Sequence, residues 1–181
     1  QMISVTHLYS SPLIRAVQTA EILSGLWKVQ IKIEPGLQEY DMGRLSGVDK
    51  ATLKEKIPEV RKHQRDSRNE YFDRIQPKNL LGIEAFSEAR KRAQSTMGIF
   101  FQRHDDSDVI LCVSHGGILQ RFVEEVLGTK RMWKTEIKNT AIFDFELQCP
   151  AQETNDKENL RDNIIVNKIN LFNYDSHFLG N

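Results

Sequence analysis

Within this chain of 181 residues, Arg15, Glu39 and His115 are the side chains whose types and positions could do chemistry together. A guanidinium holds two oxygens of a tetrahedral anion in its planar fork, an imidazole donates to an oxygen that gains charge, and a carboxyl group moves a proton. His115 ends an apolar run and is followed by Gly116 and Gly117, so the Gly116 amide is a further donor. Asp41, two residues after Glu39, is a second acid candidate. Taken singly, each has a plainer reading: Arg15 in a surface ion pair, His115 bonded to a loop carbonyl, the two acids solvated.

The elements that would position these groups follow from hydrophobic spacing. Residues 109–113 form an unbroken apolar run, as in a central parallel strand covered on both faces. Ile118, Leu119, Phe122, Val123, Val126 and Leu127 recur at helical spacing, so a helix packs one face on the sheet and stops at Gly128. His115 and Gly116 then lie at a carboxyl end of the sheet, where ligands gather in open α/β folds and helix N-termini favour anions.

Near the start, Ile3, Val5 and Leu8 read as a short strand, and Ser11-Pro12 reads as a helix start. Leu13, Ala16, Val17, Ala20 and Leu23 supply its buried stripe and Gly25 its end. Arg15 lies in the first turn, and helical side chains lean toward the N-terminus, so its guanidinium reaches back over the strand end. Val29, Ile31 and Ile33 alternate with polar residues as a half-buried strand, turned by Glu34-Pro35-Gly36. The stretch LQEYDMGRLSGV, residues 37–48, lacks periodicity and reads as an ordered loop carrying Glu39 and Asp41.

The highly charged stretch over residues 49–82 is expected to be a cap outside the sheet, either a solvated face or a basic-leaning lid that draws in phosphorylated substrate. Phe86, Ala89, Ala93, Met97 and Phe100 predict a long amphipathic helix ending near His104. Residues 139–147 and 164–172 predict an antiparallel pair joined by a polar loop. The expected fold is α/β: one domain over residues 1–181, a three-layer α/β/α sandwich with a mostly parallel sheet, an antiparallel edge strand and a charged cap insertion.

Lys plus Arg number 25 and Asp plus Glu number 25, a formal net charge of zero. There is thus no overall basic bias of the kind nucleic-acid binding uses, and any anion site is local. No apolar run is long enough to span a bilayer, and the first residues lack a signal-peptide pattern, so neither nucleic acid nor membrane is expected as a partner and the expected compartment is cytoplasmic. Cys112 reads as core packing and Cys149 as a free loop thiol; no metal-type spacing occurs. A GxSxG elbow, a Walker A loop, GxGxxG and HExxH are all missing, which argues against serine hydrolases, P-loop NTPases, dinucleotide enzymes and zincins.

The segments YSSPLIRAVQTAEIL, LQEYDMGRLSGV, GIEAFSEARKR and VILCVSHGGILQRF, followed by NTAIFDFE and a closing strand, resemble the histidine phosphatase superfamily, the phosphoglycerate mutase-like family, in order and spacing. The resemblance covers nearly the whole chain. It implies that Arg15 and His115 belong to a phosphate pocket, with the Gly116 amide as another donor. Glu39 would protonate the leaving alcohol and then activate water, with Asp41 the weaker acid candidate. It also implies a nucleophilic histidine in an arginine-histidine-glycine motif. No such motif occurs here; the one Arg-His pair, Arg103-His104, is followed by Asp105, and His7, His63, His104 and His177 read as structural or exposed. The nucleophile is therefore expected upstream of Gln1, and the chain from Gln1 alone is expected to be inactive. The implied activity is metal-independent hydrolysis of a phosphorylated small molecule through a phosphohistidine, with no cofactor. The alternatives are a mutase-type phosphotransferase or an inactive phosphate-binding protein.

Overall fold

The computed structural model describes residues 4–49, 51–52, 82, 84–129, 132, 135–148 and 164–174. Most of the charged stretch 49–82 lies outside them, as do His63, Cys149 and His177. The chain divides into two compact units, residues 40–91 and the remainder.

The larger unit is built on a parallel sheet of β1 (His7–Ser10), β2 (Ile31–Ile33) and β3 (Ile110–Val113), in the order β2-β1-β3. Ser10 aligns with Ile33 on one side and Val113 on the other, so all three strands end at one level. Among the described strands β1, not the more apolar β3, is therefore central, which corrects the expectation for residues 109–113. Leu8, Tyr9 and Ser10 are buried, whereas Ile110, Leu111 and Val113 are half-buried. Hydropathy undervalued β1 because two of its buried side groups, those of Tyr9 and Ser10, are polar and find hydrogen-bond partners inside. Cys112 is also corrected: it is an exposed free thiol on β3 rather than core packing.

Helix α1 (Ile14–Trp27) starts later than Ser11-Pro12 suggested and runs through Gly25. Leu13 is its extended N-cap, while the Ser11 hydroxyl accepts the Leu13 amide at 3.3 Å. Helix α1 stops only where Lys28 turns left-handed at φ 56°. Ala16 and Ala20 are buried, and their small side chains suit close packing. Helix α2 (Phe86–Arg103) matches its predicted span, with Ala89, Ala93 and Met97 in the core.

Helix α3 (Gly116–Val126) begins directly after His115, and the chain leaves it through Gly128 at φ 64°. Ile118, Val123 and Val126 are buried as expected, but Leu119, Phe122 and Leu127 are only half-buried. Arg121, Glu124 and Glu125 are buried instead. Arg121 pairs with Glu124 at 3.0 Å, Glu124 accepts the Met132 amide at 3.1 Å, and Gln94 donates to Glu125 at 2.8 Å. A charge in such a setting persists only when paired and hydrogen-bonded.

Strands β4 (Ile142–Gln148) and β5 (Ile165–Tyr174) form a separate antiparallel ladder with register shifts. Phe143 meets Phe172 edge-on at 5.1 Å. The architecture is thus mixed α/β with a mostly parallel sheet and an antiparallel pair. No helix among the described residues is long and apolar enough to cross a membrane.

In the smaller unit, Tyr40 packs on Phe86 with centroids 5.3 Å apart. The Glu84 amide donates to the Asp41 carbonyl at 2.8 Å. Asp49 accepts the amides of Ala51 and Thr52, each at 2.9 Å, which starts a helical turn.

Candidate active site

Three loops leave the carboxyl ends of β1, β2 and β3, and each brings one of the residues selected for their chemistry. From the first, Arg15 sits in the opening turn of α1 with its side chain exposed. From the third, His115 is half-buried and extended, at φ −133°, as the N-cap of α3. The Arg15 Nε–H donates to His115 Nδ1 at 3.2 Å. Because Nδ1 accepts, the neutral ring carries its proton on Nε2 and donates it to the Ser11 hydroxyl 2.8 Å away. Ser11 is wholly buried and holds the imidazole against the end of β1. Its role was hidden behind its reading as a helix cap.

Burial first, then the adjacent Arg15 charge, hold the His115 pKa below its ordinary 6.5, and Glu39 partly opposes them. In the absence of an anion the imidazole is thus biased toward the neutral form. A dianion beside it would reverse that bias, since it offsets the guanidinium and rewards a second ring proton.

Glu39 comes from the loop after β2 and lies at the N-terminus of α3. Its Oε2 accepts the Gly117 amide at 3.0 Å and its Oε1 the Ile118 amide at 2.9 Å. Amides of the first helical turn have no partner within the helix, so a carboxylate satisfies them and complements the helix dipole. Gly116 belongs to the same turn, and a Cβ there would meet nothing closer than Ile137 at 3.7 Å.

The loop carrying Glu39 is tightly held. Glu34 accepts the Gly36 amide at 3.0 Å, Ser114 donates to the Leu37 carbonyl at 2.8 Å, and Leu37 is buried. Arg92 Nη1, on α2, donates to the Gly36 and Gln38 carbonyls at 2.9 and 2.7 Å. A Cβ at Gly36 would fall 1.8 Å from Thr96 Oγ1, so glycine lets α2 approach. Arg92 and Ser114 were both present in the quoted motifs, but nothing in their spacing marked them as anchors of this loop.

Arg15, Glu39 and His115 are thus brought to one end of one sheet. Asp41 belongs to the other unit, where its carboxylate accepts the Gly43 amide at 2.8 Å and closes a turn with Gly43 at φ 51°. This is an ordinary turn-forming use of aspartate.

Comparison with known proteins gives the family and the fold. Over 126 residues the chain is 29% identical to the protein named Probable phosphoglycerate mutase GpmB of Salmonella paratyphi A, covering 70% of this chain and 55% of that protein. It is 30% identical over 131 residues to the human Ubiquitin-associated and SH3 domain-containing protein A, covering 70% of this chain and 20% of the human one. The chain thus spans about half or less of the length of these relatives. In fold it resembles the mycobacterial glucosyl-3-phosphoglycerate phosphatase, with a TM-score of 0.71 at 16% identity over 93% of this chain and 77% of that one. It also resembles the alpha-ribazole phosphatase of Shigella flexneri, with a TM-score of 0.63 at 20% identity over 81% of this chain and 69% of that one. The sequence model of branch 1 of the histidine phosphatase superfamily matches residues 1–155, and the chain belongs to that family.

Proposed function

We propose that this chain forms the phosphate-binding and proton-transferring part of a phosphomonoester hydrolase that acts on a phosphorylated small molecule through a phosphohistidine. The observation that carries this reading is the convergence of Arg15, His115 and the Glu39-capped N-terminus of α3 at the carboxyl ends of three parallel strands. Arg15 would clamp two phosphoryl oxygens. His115, protonated at Nδ1 once the dianion is present, would give up the bond from Arg15 Nε and donate to an oxygen as charge develops in transfer, aided by the Gly116 amide. The attacking imidazole belongs to an arginine-histidine-glycine motif that these 181 residues do not contain.

Glu39 would hand a proton to the departing alkoxide and recover one from the water that cleaves the phosphohistidine. Since both its oxygens accept backbone N–H bonds in the structure, donation requires the carboxyl group to release at least one amide. The released amide then faces the transferring group. All of these roles fall to protein side chains and backbone, so the scheme needs no metal ion.

The likeness to a protein named as a phosphoglycerate mutase favours a second reading, in which the phosphoryl group returns to a bound acceptor instead of passing to water. Turnover of phosphomonoesters in ¹⁸O-labelled water by the protein extended through the arginine-histidine-glycine motif separates the two. Label in released phosphate is expected; transfer between substrate hydroxyls without released phosphate establishes the mutase. Failure of this chain to bind vanadate at all would remove both.

A further inference from the structure

Far from the proposed phosphate pocket, at the amino ends of the same strands, two imidazoles and one carboxylate converge. His7 opens β1, His104 follows the last residue of α2, and Asp108 lies two residues before β3. His7 Nδ1 is 3.2 Å from Asp108 Oδ1, and His104 Nδ1 is 2.9 Å from Asp108 Oδ2. The two rings meet edge to face with centroids 4.3 Å apart, and one donor atom from each of the three residues lies within 4.8 Å of the others. His115 lies beyond the far end of β3, and β1 alone puts about 10 Å between the levels of His7 and Ser10.

We infer that His7, His104 and Asp108 form a binding site for a divalent transition metal, zinc in the first instance, which fastens the end of α2 and the approach to β3 onto the start of β1. Two neutral imidazoles and one carboxylate suit zinc and its first-row neighbours, whereas magnesium and calcium prefer oxygen donors throughout. Zinc bonds of about 2.0–2.1 Å at tetrahedral angles put neighbouring donors roughly 3.3 Å apart. His7 Nδ1 and His104 Nδ1 lie 3.2 and 2.9 Å from the two different oxygens of the Asp108 carboxylate, and the three donors lie within 4.8 Å of one another, so side-chain rotation must draw one oxygen and both nitrogens together to reach that spacing. Water would complete the coordination on the side of His7, whose side chain is 28% exposed against 6% for His104.

The surroundings suit such a ligand set. A metal-bound histidine characteristically donates its second ring N–H to a fixed partner. His104 has one: its Nε2 is 2.9 Å from the hydroxyl of Tyr9, which is buried. With His104 Nδ1 on the metal, the neutral ring would carry its single proton on Nε2 and donate it to the Tyr9 hydroxyl, and no redox change is involved. Thr6 Oγ1 lies 3.1 Å from Asp108 Oδ1 and accepts the Val109 amide at 2.9 Å, which steadies the carboxylate beside the strand.

The test is a zinc titration of the untagged, metal-stripped chain against a chromophoric chelator, with cobalt substitution to read coordination geometry from its visible absorption. One equivalent of zinc bound at micromolar or lower free metal and a tetrahedral cobalt spectrum are expected. His7→Gln, at the most exposed position, should weaken binding at least a hundredfold and abolish the cobalt bands while the circular dichroism spectrum stays native. Tyr9→Phe should weaken it by about ten- to a hundredfold, as loss of an outer partner does. His115→Asn should bind like the parent. Absence of stoichiometric binding, full binding by His7→Gln, or loss of binding in His115→Asn would each overturn the assignment. None of these measurements depends on turnover, so failure here leaves the proposed phosphatase chemistry standing, and the converse also holds.

Discussion

The Arg15 guanidinium donates through Nε to His115 Nδ1 at 3.2 Å, across a hundred residues of sequence. A hydrogen bond through Nε leaves the terminal fork of the guanidinium to engage a tetrahedral anion, while the imidazole is fixed from its other side by Ser11. Arg15→Ala should therefore weaken vanadate binding by roughly ten- to a hundredfold, the range of a lost charge-assisted hydrogen bond. Arg15→Lys should recover only part of it, because an ammonium lacks the planar fork. Isothermal titration of this chain checks both; unchanged binding in Arg15→Ala would remove that side chain from the pocket.

The depressed pKa of His115 makes anion binding pH-dependent with a defined sign. Sulfate keeps its double charge across the neutral range, so it isolates the imidazole. If a bound dianion raises the pKa of His115, binding takes up a proton wherever the pH lies between the free and bound values. Affinity should be highest below the free value and fall with rising pH across that window, by up to about tenfold per unit. The unliganded fold shows a related effect. Its His115 pKa lies below 6.5, so the unfolded chain binds more protons just below that pH. The stability contributed by the neutral ring is complete above 6.5 and is lost as pH falls toward the folded value. Titration in buffers of differing ionisation enthalpy should show proton uptake on sulfate binding, and His115→Asn should abolish it. A parent chain with pH-independent affinity would contradict the coupling.

Much of this site was legible in the sequence because strand, glycine and helix signals flank its residues. The apolar run before His115, the turn at Pro35-Gly36 and the helical spacing after Pro12 all report local geometry. What stayed hidden depends on partners distant in sequence. Ser11 reads as a cap until His115 is seen 2.8 Å away, and Arg92 reads as a solvated charge until two loop carbonyls are found on it. Likewise Arg121, Glu124 and Glu125 look like the wet face of α3 by composition, yet the fold buries them. The centrality of β1 was missed for the same reason, since its polar side groups are satisfied only by tertiary contacts.

Gly36 should be intolerant of even one added carbon, because Thr96 Oγ1 occupies the space at 1.8 Å and Thr96 Cβ stands at 2.9 Å. Its backbone is not left-handed, so the effect comes from packing and not from strain. Gly36→Ala is expected to destabilise the fold by about 1–3 kcal/mol, the usual range for overpacking. Thr96→Ala in the same chain removes the hydroxyl and methyl but not the Cβ, so rescue should be partial. A double-mutant cycle by chemical denaturation measures that coupling; additive losses would show that the contact does not govern the site.

Glu39 and a bound phosphoryl group have a common claim on the first turn of α3. The carboxylate takes the Gly117 and Ile118 amides in the structure, and these are the type of donor an incoming dianion would use. Removing the carboxylate charge while keeping its size, as in Glu39→Gln, should therefore act in two directions. The fold should lose about 1 kcal/mol, as for a weakened helix cap, whereas sulfate should bind several-fold more tightly because its competitor and its nearest negative charge are gone. On the proposed phosphatase reading, in a protein extended to carry an arginine-histidine-glycine motif, the same substitution should slow turnover most for substrates with poor leaving groups, which depend on proton donation. Equal slowing of good and poor leaving groups, together with tighter sulfate binding, would assign Glu39 to holding the helix terminus and take the proton-donor role from it.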